Sequence, residues 1–186
     1  AYGAKSLKLK ALIVMPITTP AIKVDSVKNY GGKVLLYGDT FDEAFDYATS
    51  LAKKDGFTFI HPYDDLDVIV GQGTVGKELF DEIGSSIDAV FVPVGGGGLL
   101  AGLGTYLKSV SPNTKIIGVE PEDAACLKLA LENNKRLALK EVGLFADGVA
   151  VKQIGKKTFS LIKDWIDDVV TVSVDEMCAS VQDTFQ

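Results

Sequence analysis

Short runs of apolar and β-branched residues recur along the chain at positions 11–15, 33–37, 57–60, 89–94, 115–120 and 169–172, separated by longer mixed stretches. Runs of this length and composition predict strands, and the segments between them predict helices. None of the runs alternates strictly between apolar and polar residues. Both faces of each strand are therefore expected to be covered, as when helices pack on the two sides of a sheet. The alternation predicts an α/β protein of three layers, α/β/α, with mainly parallel sheets.

Local signals mark where several helices begin. Thr40-Phe41-Asp42-Glu43 and Ser173-Val174-Asp175-Glu176 read as capping boxes, in which a hydroxyl accepts from an orphan backbone N–H and the glutamate three residues on reciprocates. Thr19 followed by Pro20 reads as a cap with proline at the first helical position. These signals predict helices over 20–30, 41–54 and 174–185. The turn residues His61-Pro62-Tyr63-Asp64-Asp65 interrupt the pattern and suggest a boundary within 60–67. Asp64, Asp65 and Asp67 are expected to form a solvated turn rather than a metal site. An amphipathic pattern is already under way at Ala1, and residues 181–186 fall inside a helical pattern, so a fragment or processed piece of a longer protein is expected.

One feature does not belong to the packing pattern. Gly95, Gly96, Gly97 and Gly98 stand between the apolar run 89–94 and an apolar helical segment that opens with Leu99. Four glycines give up all side-chain packing and carry a high unfolded-state entropy, so a bland turn rarely uses them. They allow close approach of a ligand to bare N–H groups, at the positive end of the following helix. A phosphate suits both properties. A dinucleotide is one source, because residues 96–101 satisfy G-x-G-x-x-A and Glu120 ends the next strand where a ribose-binding acid would stand. No Gly-Lys-Ser/Thr follows the loop, which excludes a P-loop nucleotidase.

Composition narrows the partners. A net charge of −6 with scattered lysines argues against nucleic acid, which requires a clustered basic surface. No apolar run approaches the roughly 18 residues that span a bilayer, so no membrane partner is expected. His61 is the only histidine, which leaves little from which to build a zinc site or a histidine-based nucleophile. Cys126 and Cys178 lie in apolar stretches and outside any C-x-x-C pair, and are expected to be small buried hydrophobes in a reducing compartment.

The segment Pro93-Val94-Gly95-Gly96-Gly97-Gly98-Leu99, preceded by Gly71-Gln72-Gly73-Thr74 and followed by Gly118-Val119-Glu120-Pro121, resembles the pyridoxal-phosphate enzymes of fold type II, the tryptophan synthase β-like fold. Met15-Pro16, Thr19-Pro20, Lys23-Val24, Glu122-Asp123-Ala124-Ala125-Cys126-Leu127 and Gly143-Leu144-Phe145-Ala146-Asp147-Gly148 extend the match. As an ordered set over nearly the whole chain they are similar to the threonine dehydratases of the biosynthetic branch. The resemblance implies pyridoxal 5'-phosphate as cofactor, with its phosphate held by Gly95, Gly96, Gly97, Gly98 and Leu99. It implies a lyase reaction that converts threonine to 2-oxobutanoate and ammonia, as in isoleucine biosynthesis, with a serine-directed dehydratase as the near variant. It further implies a small amino-acid substrate, a homo-oligomer when intact, and a cytoplasmic or, in a plant, plastid location.

On the same resemblance, residues 1–60 belong to a smaller cofactor-flanking domain and residues 61–186 to a larger cofactor-binding one. The family's Ser-Phe-Lys motif with its catalytic lysine and its Ser-Gly-Asn-His substrate loop do not occur in this sequence, so no catalytic residue is assigned within the chain. The serine that partners the pyridine nitrogen and the regulatory domain are expected after Gln186. Asp147-Gly148 is expected on a loop lining the cofactor ring, with an Asp-Gly turn that makes no ligand contact as the alternative. Some relatives bind a divalent cation through the equivalent of Glu120 and an acid six residues later. Here that position is Cys126, a poor ligand for a hard cation, so no metal is expected. A dinucleotide-dependent oxidoreductase and a processed, non-catalytic remnant are the alternatives.

Overall fold

The computed structural model describes residues 1–185, and its chain divides into two compact units, Ala1–Phe59 and Ile60–Gln186. Gln186, the last residue of the expected helical stretch 181–186, lies outside the described residues.

The first unit runs α1 (Tyr2–Ser6), β1 (Leu12–Met15), α2 (Ala21–Asn29), β2 (Lys33–Leu36) and α3 (Phe41–Asp55). Strands β1 and β2 pair in parallel, Leu12 opposite Lys33 and Met15 opposite Leu36, with α2 as the crossover. Helix α3 starts at the capping box read from the sequence. The Thr40 hydroxyl accepts from the Glu43 N–H at 3.3 Å, and the Glu43 carboxylate accepts from the N–H groups of Thr40 at 3.0 Å and Asp39 at 2.7 Å. Those backbone donors, Asp39 first, hold the Glu43 carboxyl below the usual glutamate value. The helix ends on Gly56, whose φ of 73° is the left-handed cap that glycine adopts without penalty.

Two expectations fail in this unit and at its end. Pro20 is the N-cap of α2, not its first helical residue: its ψ of 137° is extended, and no side chain caps the helix. Residues 57–60 form no strand, because a strand requires a neighbour with which to exchange hydrogen bonds and the unit's sheet consists of β1 and β2.

The second unit runs α4 (Leu66–Ile83), a 3₁₀ turn (Gly84–Ser86), β3 (Ala89–Pro93), α5 (Gly98–Val110), β4 (Lys115–Pro121), a second 3₁₀ turn (Glu122–Ala124), α6 (Cys126–Glu132), α7 (Lys156–Ile162), β5 (Asp168–Val172) and α8 (Val174–Thr184). Its sheet has the order β3-β4-β5 and is parallel throughout, with Ala89 opposite Lys115 and Ile117 opposite Asp168. The core gathers Val92 and Val94 from the β3 end, Ile116 from β4, Leu100, Leu103 and Leu107 from α5, Leu127 from α6 and Ile162 from α7. Helix α8 opens on the second capping box, Ser173 with Glu176.

Helices α4 and α5 lie close together because small residues meet where they cross. A Cβ on Gly76 would stand 2.9 Å from the Leu103 carbonyl oxygen, and one on Gly102 would overlap the Ile69 carbonyl. Gln72 and Gly73 thus belong to this contact, with Gly73 facing the Gly102 carbonyl, whereas Gly71 faces open space. No helix among the described residues is long and apolar enough to cross a membrane.

Candidate functional site

The last ladder bond of β3 runs from the Val94 N–H to the Val119 carbonyl at 2.9 Å, after which the chain enters the glycine run. Gly97 caps α5 with a φ of 88°, in the left-handed region, and no side chain caps the helix. The first bond of α5 is from the Ala101 N–H to the Gly97 carbonyl, at 2.8 Å. Among the described residues, no acceptor takes the N–H of Gly95, Gly96, Gly97, Gly98 or Leu99. Gly96, Gly97 and Gly98 are nevertheless buried, with Gly95 and Leu99 half-buried. Backbone N–H groups withdrawn from water ordinarily find a partner. A run of them at a helix N-terminus, where the peptide dipoles add a positive potential, is matched by an anion with several acceptor oxygens. The loop therefore fits a phosphate group on chemistry as well as on composition.

The loop is shaped from behind by residues far away in sequence. The Gly96 carbonyl accepts from the Thr158 hydroxyl at 2.8 Å and from the Gly155 N–H at 3.2 Å. The Gly95 carbonyl faces the Cys126 thiol at 3.5 Å. The Tyr63 ring lies where a Cβ on Gly96 would be, and a Cβ on Gly98 would come within 3.0 Å of the Tyr63 Cβ. On its remaining side, Gly95 abuts Val149, whose Cα would be 3.0 Å from an added Cβ. The Asp147-Gly148 pair sits in the turn that delivers Val149.

Residues expected in a solvated turn hold these pieces together. The Asp64 carboxylate accepts from the N–H groups of Lys156 at 2.9 Å, Lys157 at 2.7 Å and Thr158 at 3.2 Å, and so caps α7. Asp65 caps α4 by accepting from the Asp67 N–H at 3.0 Å, and it pairs with Lys157 at 3.5 Å. The His61 Nδ1 accepts from the Tyr63 and Asp64 N–H groups at 3.2 and 2.8 Å. Burial pushes His61 below its ordinary value against the pull of Asp64 and Asp65, which suits an imidazole that accepts. His61 is a brace for the turn in this arrangement. Asp64, Tyr63 and Thr158 carry no motif, and their partners lie too far along the chain for spacing to reveal them.

Glu120 cannot serve a ribose. It is fully buried, and its two oxygens accept from the Leu127 N–H at 2.7 Å and the Lys128 N–H at 2.9 Å, at the start of α6. Burial raises its carboxyl above the usual glutamate value, opposed by those same N–H bonds. The dinucleotide reading of the loop is corrected on this ground, since its ribose-binding acid is spent on the backbone. Beside Glu120, burial first and the carboxylate second push the Cys126 thiol up to about 12. Cys126 is buried as expected, whereas Cys178 on α8 is only partly buried, and neither is in a disulfide. Among the described residues, no three His, Cys, Asp or Glu side chains are grouped to hold a metal ion.

Comparison with known proteins finds relatives of this chain in sequence and in fold. The chain is 54% identical over 185 residues to a threonine dehydratase of Nicotiana attenuata, covering all of this chain and 31% of that protein. It is also 54% identical over 186 residues to an L-threonine dehydratase of Pasteurella multocida, with 36% of that protein covered. Its fold matches the processed form of threonine deaminase isoform 2 from Solanum lycopersicum with a TM-score of 0.92 at 49% identity, over 99% of this chain and 53% of that one. Maize serine racemase matches with a TM-score of 0.93 at 29% identity, over 100% of this chain and 56% of that one. The chain thus spans about a third of the length of the curated relatives it matches. The family described as pyridoxal-phosphate dependent enzyme matches residues 1–186 from end to end, and with the glycine cradle in place the chain belongs to that family.

Proposed function

We propose that this chain is the phosphate-holding part of a threonine dehydratase, with Gly95, Gly96, Gly97, Gly98 and Leu99 binding the phosphate of pyridoxal 5'-phosphate. The observation that carries the reading is the run of N–H groups at the start of α5 that no acceptor among the described residues takes, three of them on buried glycines. The bound cofactor supplies an electron sink that makes the Cα proton of an amino acid acidic. The residues of this chain bind and orient it: the loop N–H groups grip the phosphate, and the buried core beneath Val94 and Leu100 keeps the loop from drifting.

The substrate is a small amino acid, threonine before serine, and the products are 2-oxobutanoate and ammonia. Support comes from relatives at 54% identity that are named threonine dehydratases, against 29% for a serine racemase. Residues 1–60 fall to the smaller, cofactor-flanking domain and residues 61–186 to the larger. The lysine that carries the cofactor, the loop that binds the substrate carboxylate and the partner of the pyridine nitrogen are assigned to parts of the polypeptide beyond this chain. The intact protein is a homo-oligomer in a reducing compartment, the cytoplasm or a plastid, as suits two unpaired thiols.

Four N–H contacts to a phosphate at about 1.5 kcal/mol each contribute roughly 6 kcal/mol, and association costs at least about 4 kcal/mol. The remainder leaves the isolated chain with a dissociation constant weaker than about 1 mM. The full-length protein is expected to release 2-oxobutanoate from L-threonine and to lose that activity reversibly when the cofactor is stripped. The isolated chain is expected to show no turnover and to lose the cofactor on dialysis. A full-length protein with higher kcat/KM for L-serine would overturn the substrate assignment, and quenching of Trp165 by NADH but not by pyridoxal phosphate would overturn the cofactor reading.

A further inference from the structure

A peptide unit is planar and trans, so its C=O and N–H point in opposite directions. Whatever anchors the carbonyl of one residue therefore aims the N–H of the next. In the glycine loop this geometry has a specific consequence. The Gly96 carbonyl is drawn toward the N-terminal end of α7 by two donors, the Thr158 hydroxyl at 2.8 Å and the Gly155 N–H at 3.2 Å. The Gly97 N–H on the same peptide must then point away from α7, and no acceptor among the described residues takes it.

Glycine has no side chain to resist rotation of this peptide, so the anchor has to come from outside. Thr158 is suited to supply it. It is fully buried, its N–H is held by Asp64 at 3.2 Å, and its Oγ1 would lie only 3.0 Å from a Cβ on Gly97. Asp64 in turn fixes the whole first turn of α7 through three N–H groups.

We propose that Thr158 is a positioning residue for the phosphate site: its hydroxyl, held in place by the Asp64 cap on α7, orients the Gly96–Gly97 peptide so that the Gly97 N–H faces the phosphate. Thr158 touches the loop and not the ligand. The inference rests on the reading of residues 95–99 as the phosphate site, and its test separates the two.

The test titrates the full chain, labelled with ¹⁵N, with inorganic phosphate at constant ionic strength and follows the backbone amide shifts of the loop glycines. In the wild type, the amides of Gly95 to Gly98 move with phosphate and not with chloride. In Thr158→Val the apparent affinity falls by about fivefold, the scale of one hydrogen bond, and the Gly97 amide moves least. Thr158→Ser keeps the hydroxyl and restores the wild-type response, which a purely structural role for the methyl group would not do. Wild-type glycine amides that ignore phosphate would sink the site reading itself. Wild-type amides that respond, with a Thr158→Val variant responding at the same phosphate concentration, would overturn the role of Thr158 and leave the site intact. If Thr158→Val loses its dispersed spectrum, Asp64→Asn decides instead: a weakened response supports the inference, and an unchanged one refutes it.

Discussion

Gly97→Ala tests whether the loop is held in the shape described, because the substitution adds one methyl group at a point of the loop where the backbone is left-handed and the space is filled. Its cost has two parts. Gly97 has a φ of 88°, where an L-residue is less stable than glycine by about 1–2 kcal/mol. The new Cβ would stand 2.6 Å from the Ile154 Cδ1 and 3.0 Å from the Thr158 Oγ1. Both neighbours are fully buried and have nowhere to swing, so overpacking adds about 1–3 kcal/mol. The sum is a loss of about 2–5 kcal/mol. Urea unfolding followed by Trp165 fluorescence measures it in the unit concerned, since Trp165 is the only tryptophan and packs against Gly104 of α5. Gly148→Ala is the control, with nothing within 4 Å of its added Cβ, and is expected to stay within about 0.5 kcal/mol of the wild type. A Gly97→Ala protein as stable as this control would refute the reasoning.

Two further outcomes follow from the buried pair beside the loop. With its thiol pushed up to about 12, Cys126 is expected to resist a disulfide-exchange reagent at about pH 8 in the folded chain, while the partly exposed Cys178 reacts. Two fast equivalents before denaturation would contradict the burial. Because burial raises Glu120, the stability it contributes is full below its unfolded value near 4.3 and declines as pH rises through its folded value. Glu120→Gln is therefore expected to flatten the fall in stability as pH rises above the ordinary glutamate range, even as it weakens the bonds to Leu127 and Lys128. An unaltered slope in denaturation curves across that range would count against it.

The parts of this fold that were legible in the sequence are those fixed within a few residues. Thr40 with Glu43 and Ser173 with Glu176 are three residues apart, and the bonds they make are the ones their spacing implies. The strands at β1 to β5 were legible because each has a paired neighbour. The run at 57–60 has the same composition and no strand, since pairing depends on a partner that composition does not reveal. Asp64 was misread for a related reason. A carboxylate in a Pro-Tyr-Asp-Asp turn looks solvated until a helix start 92 to 94 residues later is brought against it.

The proposed phosphate site divides along the same line. The glycine run announced itself because four adjacent residues had renounced their side chains, but by doing so they also gave up any local means of holding a shape. Each glycine is shaped by a different outside neighbour: Val149 against Gly95, the Tyr63 ring against Gly96, Ile154 and Thr158 against Gly97, and the Tyr63 backbone against Gly98. The cradle is thus a property of three segments that meet only in the folded chain, the turn at 61–65, the loop itself and the stretch from 149 to 158. A change in any one of these neighbours is expected to reach the phosphate through peptide orientation alone, without touching a residue that binds it. On the proposed reading the glycines mark the anion's place, while the shape of the loop that would grip it is set by residues that no local motif marks.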